Sequence, residues 1–313
     1  KYPNDPNDPT KPGKPVVPDV PGYKPYLPDP NDPTKPGQPV EPGKPITPEN
    51  PGTDTPIIYV PIVNDVTKPT KQTVTFEGAG DKTPADNVQD DFTFTGKEKQ
   101  ADGTTTWTET SHTYGKINVP VVDGYYSDKT EAGSKTVTPD QPEVTDKVTY
   151  KPLGSLVPKS DDPKFPSTPD VKYPNDPTDP TKPGKPVVPD VPGYKPYLPD
   201  PKDPSKPGQP VEPGKELPNL PTNPGEDTPI IYVPIVNDVT KPTKQTVKFE
   251  GAGDKTPADN VQDDFTFTGK ENKASGATTW NEKSHTYGKV SVPVIPGYYA
   301  DKTEAGGKTV TPE

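Results

Sequence analysis

The chain has 313 residues, 53 of them proline, a hydrophobic share of only 25%, no cysteine and a formal charge of −11. So little apolar material excludes one large core and leaves small modules of roughly 80–100 residues each. Without cysteine there is neither disulfide nor thiolate metal site, and an acidic chain without arginine lacks the basic patches that grip phosphates, so no nucleic acid is expected as a partner.

Residues 1–56 read as a proline-rich spacer. Prolines fall at positions 3, 6, 9, 12, 15 and 18, the residue period of a polyproline II helix. Fully extended, such a spacer would reach on the order of 170 Å. Within it NDPTKPGKPV from Asn7 returns as NDPTKPGQPV from Asn31, and Val20–Leu27 is the least polar patch, read as a Pro-Gly turn with exposed tyrosines.

Residues 57–158 read as a β module. IIYVPIV (57–63) is an apolar entry strand that Pro61 confines to an edge. Runs at 73–76, 92–95 and 148–150 alternate apolar residues with threonine, the period-two pattern of half-buried strands. Ala101-Asp102-Gly103 carries a hairpin signal, so Phe92 to Thr110, with Trp107 in its second arm, is read as a β-hairpin. Residues 117–126 form another extended piece, broken at Pro120 and Gly124, and no amphipathic helix is present beyond a short turn near Pro84–Val88.

Residues 159–229 repeat the spacer and residues 230–313 repeat the module, offset by 171 residues at Lys172 and by 173 after two extra residues near Leu217 to Thr222. Glu313 corresponds to Asp140, so the counterpart of Val144–Tyr150 lies beyond the second copy. No apolar run is long enough for a membrane helix, and no membrane insertion is expected.

His112 and His285 are the only histidines. Ser111 and His112 are strand neighbours pointing to opposite faces, so they make no nucleophile–base pair. Asp81, Asp86, Asn87, Asp90 and Asp91 read as a solvated acidic turn rather than a calcium loop. No metal and no cofactor is expected. Trp107, Tyr125 and Tyr126, with Trp280, Tyr298 and Tyr299, are the candidate glycan-binding residues. Sugar rings lay C–H faces on aromatics while nearby Thr, Asn and Asp bond hydroxyls. The competing reading puts the tryptophans in the core, and alternation leaves at least one tyrosine of each pair exposed. A glycosidase would need a paired-carboxylate cleft that modules of this size hardly offer, so no enzyme is expected.

TVTFEGAGDKTPADNVQDDFTFTG, then TTTWTETSHTYGKINVPVVDGYYSDKTEAGSKTVTPDQPEVTDKVTYKPLGSLVP, resembles the second-half module of Mub-type mucus-binding repeats of lactic-acid-bacterial surface adhesins, as do the words KYPNDPTDPTKPG and VPGYKPYLPD. The resemblance covers essentially the whole chain. It implies two β-grasp-like modules on long spacers in a wall-anchored, extracellular adhesin, a monomeric tandem array that binds mucin or other host glycoproteins. The alternative is a purely structural stalk that projects a distal adhesive domain. Neither a companion mucin-binding module nor an LPxTG sorting signal is visible, so anchoring is inferred for the full-length protein. Because the second module lacks a counterpart to Val144–Tyr150, residues 230–313 alone should melt below residues 57–158 alone; equal midpoints would refute this.

Overall fold

Strands make up nearly all the regular structure, and the helical turns are the short 3-10 segments Gly80–Lys82 and Gly253–Lys255. The computed structural model describes all residues, Lys1–Glu313. The chain divides into two compact units, Lys1–Pro120 with Ser127–Tyr150, and Val121–Tyr126 with Lys151–Glu313.

The proline-rich stretches are folded, which corrects the extended-spacer expectation. In the first unit Tyr23–Pro28 lies between Pro36–Pro39 and Ile58–Pro61, antiparallel to both. In the second unit Tyr194–Pro199 lies in the same way between Pro207–Pro210 and Thr228–Pro234. There the sheet continues through Ser155–Lys159, parallel to Thr228–Pro234, to Val171–Lys172. Leu153, Leu156, Tyr173, Val188, Tyr194, Leu217, Ile230 and Tyr232 form its buried core. A spacing of three fixes φ at every third residue, but it leaves two residues between prolines, and Val, Tyr and Leu recur there.

The sub-repeat words are the turns that reverse the chain. In DPTK the Asp8 carboxylate accepts from the Thr10 amide at 2.9 Å and from its hydroxyl at 2.5 Å, and Lys11 pairs with it at 3.2 Å. Asp32, Asp179 and Asp203 repeat this Asx turn. The Lys182 ammonium and the Thr181 hydroxyl and amide hold Asp179 down to about 2.

The entry strand also differs from expectation. Ile58–Pro61 closes the proline-rich sheet and Val63–Pro69 opens the module, with Ile62 between them. The Ile62 amide donates to Gly22 and its carbonyl accepts from Gln100 at the hairpin tip. Gly22, at φ +80°, passes so close that an added Cβ would lie 2.4 Å from the Ala101 backbone. Gly193 meets Ala274 in the same way in the second unit. Only glycine offers both the positive φ and the missing side chain.

In the first module Val63–Pro69, Thr93–Lys99 and Thr105–Trp107 form one antiparallel sheet, and the expected hairpin is present, with Glu98 opposite Thr105. Lys71–Glu77 is central in a second sheet, antiparallel to Asn87–Gln89 and parallel to the strand starting at Glu143. Alternation buries Val74, Phe76, Phe94, Val148 and Tyr150. The second module repeats the first sheet and pairs Gln245–Val247 with Asn260–Gln262.

Asp146 ties the parallel strand to its surroundings, accepting from the Gly133 amide at 2.8 Å and from Lys129 Nζ at 3.1 Å. Burial pushes its carboxyl up, but the Gly133 amide, the Lys129 hydrogen bond and the charges of Lys129 and Lys135 hold it below the ordinary aspartate range. A depressed folded pKa gives stability that is present above about 3.9 and is lost as pH falls through the folded value. Asp146→Asn should therefore destabilise the first module by about 1.5–3 kcal/mol at pH 7 and by less near pH 3, as thermal melts at the two pH values would show.

Candidate functional site

A groove of about 410 Å³ opens on the first module between two short walls. One wall is Val88, Gln89, Asp90 and Asp91; the other is His112, Thr113, Tyr114 and Gly115. The strands Asn87–Gln89 and His112–Thr113 present these residues. Asp90, Asp91 and Thr113 are exposed, His112 and Gln89 are half-buried and Tyr114 is buried.

The groove is built on fixed polar ties. Gln72 is 0% exposed and uses its whole amide. Its Nε2 donates to Gln89 Oε1 at 2.8 Å and to the Gly115 carbonyl at 3.1 Å, and its Oε1 accepts from the Lys135 amide at 2.8 Å. One side chain thus holds both walls. Thr70 holds the base: its hydroxyl donates to the Phe92 carbonyl at 2.9 Å, so the Tyr114 hydroxyl, 2.6 Å away, must donate to Thr70. His112 stacks flat on Phe92 at 3.9 Å and meets Tyr114 edge-on at 4.8 Å. Ring packing thus fixes His112, and the same residue lines the groove. No nucleophile–base pair is assembled here. The arrangement can accept hydrogen bonds from hydroxyls at Asp90 and Asp91 and offer ring surface at His112.

The second module builds the same ties. Gln245 Nε2 donates to Gln262 at 2.7 Å and to the Gly288 carbonyl at 3.1 Å, and its Oε1 accepts from the Lys308 amide at 2.8 Å. His285 stacks on Phe265 at 3.8 Å and meets Tyr287 edge-on at 4.8 Å.

The six aromatics singled out by sequence lie in different settings. Trp107 and Trp280 are half-buried, and both are taken up in packing. A Cβ on Gly96 would lie 2.8 Å from the Trp107 ring, Phe94 meets it at 6.3 Å, and Lys68 Nζ lies 5.8 Å from its centre. Trp280 sits over Gly269 and beside Phe267 in the same way. Tyr125 and Tyr126 are half-buried. Both belong to the second unit, where Asn175 Nδ2 donates to the Tyr125 carbonyl at 2.7 Å and Tyr126 packs on the buried cluster. Tyr298 and Tyr299, at the same repeat positions, are 52% and 99% exposed. Sequence reasoning named Asp90, Asp91 and His112 separately, and it missed that the fold sets them on facing walls of one groove. The signal was Gln72, which alternation puts on one strand face with Val74 and Phe76, a polar residue on an otherwise apolar face.

Residues 63–154 and 236–313, more than half of the chain, match the family described as Muc B2-like domain. A search of the curated proteins found no match. Among solved structures, a MucBP domain of a Lactobacillus acidophilus protein is 23% identical, over 29% of this chain and 99% of that one, with a TM-score of 0.23. The mucin-binding domain of a Streptococcus pneumoniae protein is 21% identical, over 29% and 97%, with a TM-score of 0.24. The type 2 repeat of the mucus binding protein MUB from Lactobacillus reuteri is 18% identical, over 42% and 76%, with a TM-score of 0.25.

Gln72→Leu keeps the volume of the side chain but leaves the Lys135 amide and the Gly115 carbonyl without their partner. The first module should lose about 2–4 kcal/mol, and Lys135 amide exchange should accelerate while that of Lys308 in the second module stays unchanged. Unchanged exchange at Lys135 would show that the glutamine is not the tie.

Proposed function

Because this chain belongs to the Muc B2-like domain family, we propose that it is a repeat region of an extracellular bacterial adhesin that holds mucin glycoproteins, with the groove beside His112 and Asp90–Asp91 as the glycan contact. The family match over both modules carries the reading. The groove supports it with chemistry suited to binding. The His112 ring can lie against a sugar C–H face, and Asp90 and Asp91 can accept from paired hydroxyls, as charge-assisted bonds that are stronger than neutral ones. The two carboxylates are chain neighbours on one wall rather than a facing pair across a scissile bond, which favours holding a glycan over hydrolysing it. Each site is shallow and single sites bind weakly, and repetition along the chain multiplies them into avidity.

The charge of the groove sets a preference. Two carboxylates in a chain of net charge −11 repel sialic acid and sulfate, so neutral sugars are the better occupants. The test is binding of the full chain to immobilised mucin before and after desialylation and desulfation. Binding should rise with removal of the acidic groups, and it should fall at least about tenfold in a variant carrying Asp90→Asn and Asp91→Asn, with Asp263→Asn and Asp264→Asn at the same positions of the second copy, that melts like the parent, since each lost charge-assisted bond is worth about 1.5–3 kcal/mol. No saturable binding to either mucin would leave the repeats as a stalk that projects another domain.

A further inference from the structure

The two proline-rich domains are near repeats in sequence and differ in burial. Ile230, Ile231 and Tyr232 are 0%, 8% and 1% exposed, whereas their counterparts Ile57, Ile58 and Tyr59 are each only half-buried. Leu217 and Tyr173 are buried, and their counterparts Ile46 and Tyr2 are half-buried. The strand registers do not explain this: Tyr194 opposes Pro234 as Tyr23 opposes Pro61. The Tyr2 hydroxyl lies 2.5 Å from Thr55 Oγ1, as the Tyr173 hydroxyl lies 2.6 Å from Thr228 Oγ1.

What differs is the segment after Tyr150. In the second unit Ser155–Lys159 runs parallel to Thr228–Pro234, with Leu156 opposite Thr228 and Lys159 opposite Ile231. Leu153 and Leu156 fill the core, and Phe165 packs on Tyr194 at 5.1 Å and on Tyr232 at 5.3 Å. The Ser155 amide donates to Asp227, the Ser160 hydroxyl to the Tyr232 carbonyl, and the Tyr194 hydroxyl to Asp162. In the first unit the sheet ends at Ile58–Pro61. Every receiving group is nonetheless in place there: Asp54 for Asp227, Tyr59 for Tyr232 and Tyr23 for Tyr194.

We propose that the Ile58–Pro61 edge of the first proline-rich domain is a strand-acceptor site, and that its occupant is a second copy of the segment Lys151–Lys172, supplied by another repeat of the same kind. The strand adds in parallel, with its Leu156 opposite Thr55 and its Lys159 opposite Ile58. An open edge above half-buried isoleucines is a template for pairing; backbone bonds supply the affinity and the two leucines and Phe165 the selectivity. The second unit shows the occupied state of the same sequence. The inference is independent of glycan binding.

The test adds a synthetic peptide of residues 151–172 to the full chain and follows binding by calorimetry and amide exchange. One peptide should bind per chain, and exchange across residues 55–60 should slow by at least about tenfold, as expected when an exposed edge becomes paired. The resident segment of the second unit should not be displaced, because its tether holds it at an effective concentration on the order of millimolar. A peptide carrying Leu153→Asp and Leu156→Asp should not bind. Absence of saturable binding at millimolar peptide, equal binding by the aspartate peptide, or protection mapping away from residues 55–60 would each overturn the proposal.

Discussion

Proline carries a carbonyl acceptor and no amide donor, and 53 of them in one chain make hydrogen-bond donors the scarce element of this fold. The structure draws its donors from backbone amides and from side chains. Amides of the residues between prolines reach across the sheet or turn: Gly13 to Pro3 at 2.6 Å, Gly184 to Pro174 at 2.7 Å, Ile46 to Pro15 and Leu217 to Pro186. Side chains supply others: tyrosine hydroxyls donate from Tyr59 to Pro18 at 2.7 Å, Tyr232 to Pro189 at 2.6 Å and Tyr150 to Pro120 at 2.7 Å, and the Lys68 and Lys241 ammonium groups to Pro139 and Pro312 at 2.7 Å each. A tyrosine buries a ring and ends in a donor, so it answers both needs of a proline-rich core. Burial, with Asp128 near Tyr150 and Asp190 near Tyr232, pushes these two phenols up to about 12. They stay protonated, and stay donors, well into alkaline solution.

That constraint explains which parts of the fold the sequence revealed. Alternation in 73–76 and 92–95 marked strands that each have one partner close in sequence, and the Asp-Gly turn marked the hairpin between Thr93–Lys99 and Thr105–Trp107. The proline-rich domains stayed hidden because a proline period of three reports backbone φ and says nothing of what lies across the sheet. Tyr194 and Tyr232 become core residues only when strands about 40 residues apart in sequence are paired, in a way no local pattern records. The parallel pairing of Lys71–Glu77 with the strand from Glu143 was equally out of reach, since 72 residues separate Lys71 from its partner.

The site was legible in part for a related reason. Residue type identifies groups able to touch a sugar, but exposure decides whether they do. The Trp107 ring lies over Gly96, and a glycine inside a threonine-rich strand is itself a sign of close approach. Tyr126 and Tyr299 share sequence and repeat position, yet one packs on a core and the other stands in solvent. His112 shows the reverse. Its rings of contact with Phe92 and Tyr114 are structural, and they hold its remaining surface at a groove.

The two modules also separate what a strand owes to its own sequence from what it owes to a partner. Lys71–Glu77 is a strand of seven residues, and its counterpart is assigned as a strand only over the three residues Gln245–Val247. The antiparallel partner is the same in both, with Gln72 opposite Gln89 and Gln245 opposite Gln262. The parallel partner is present only in the first. Phe76 is buried beneath it, whereas Phe249 is half-buried. Substitution of Thr75 by Lys248 falls on the face away from Phe76 and does not account for the loss. Local alternation therefore starts this strand, and the distant neighbour carries it to full length, as expected where β-propensity measures fit to neighbours more than backbone preference. The same logic applies to the proline-rich sheets: closely similar strands give a half-exposed edge where Ile58–Pro61 ends the sheet and a closed core where Ser155–Lys159 lies beside Thr228–Pro234.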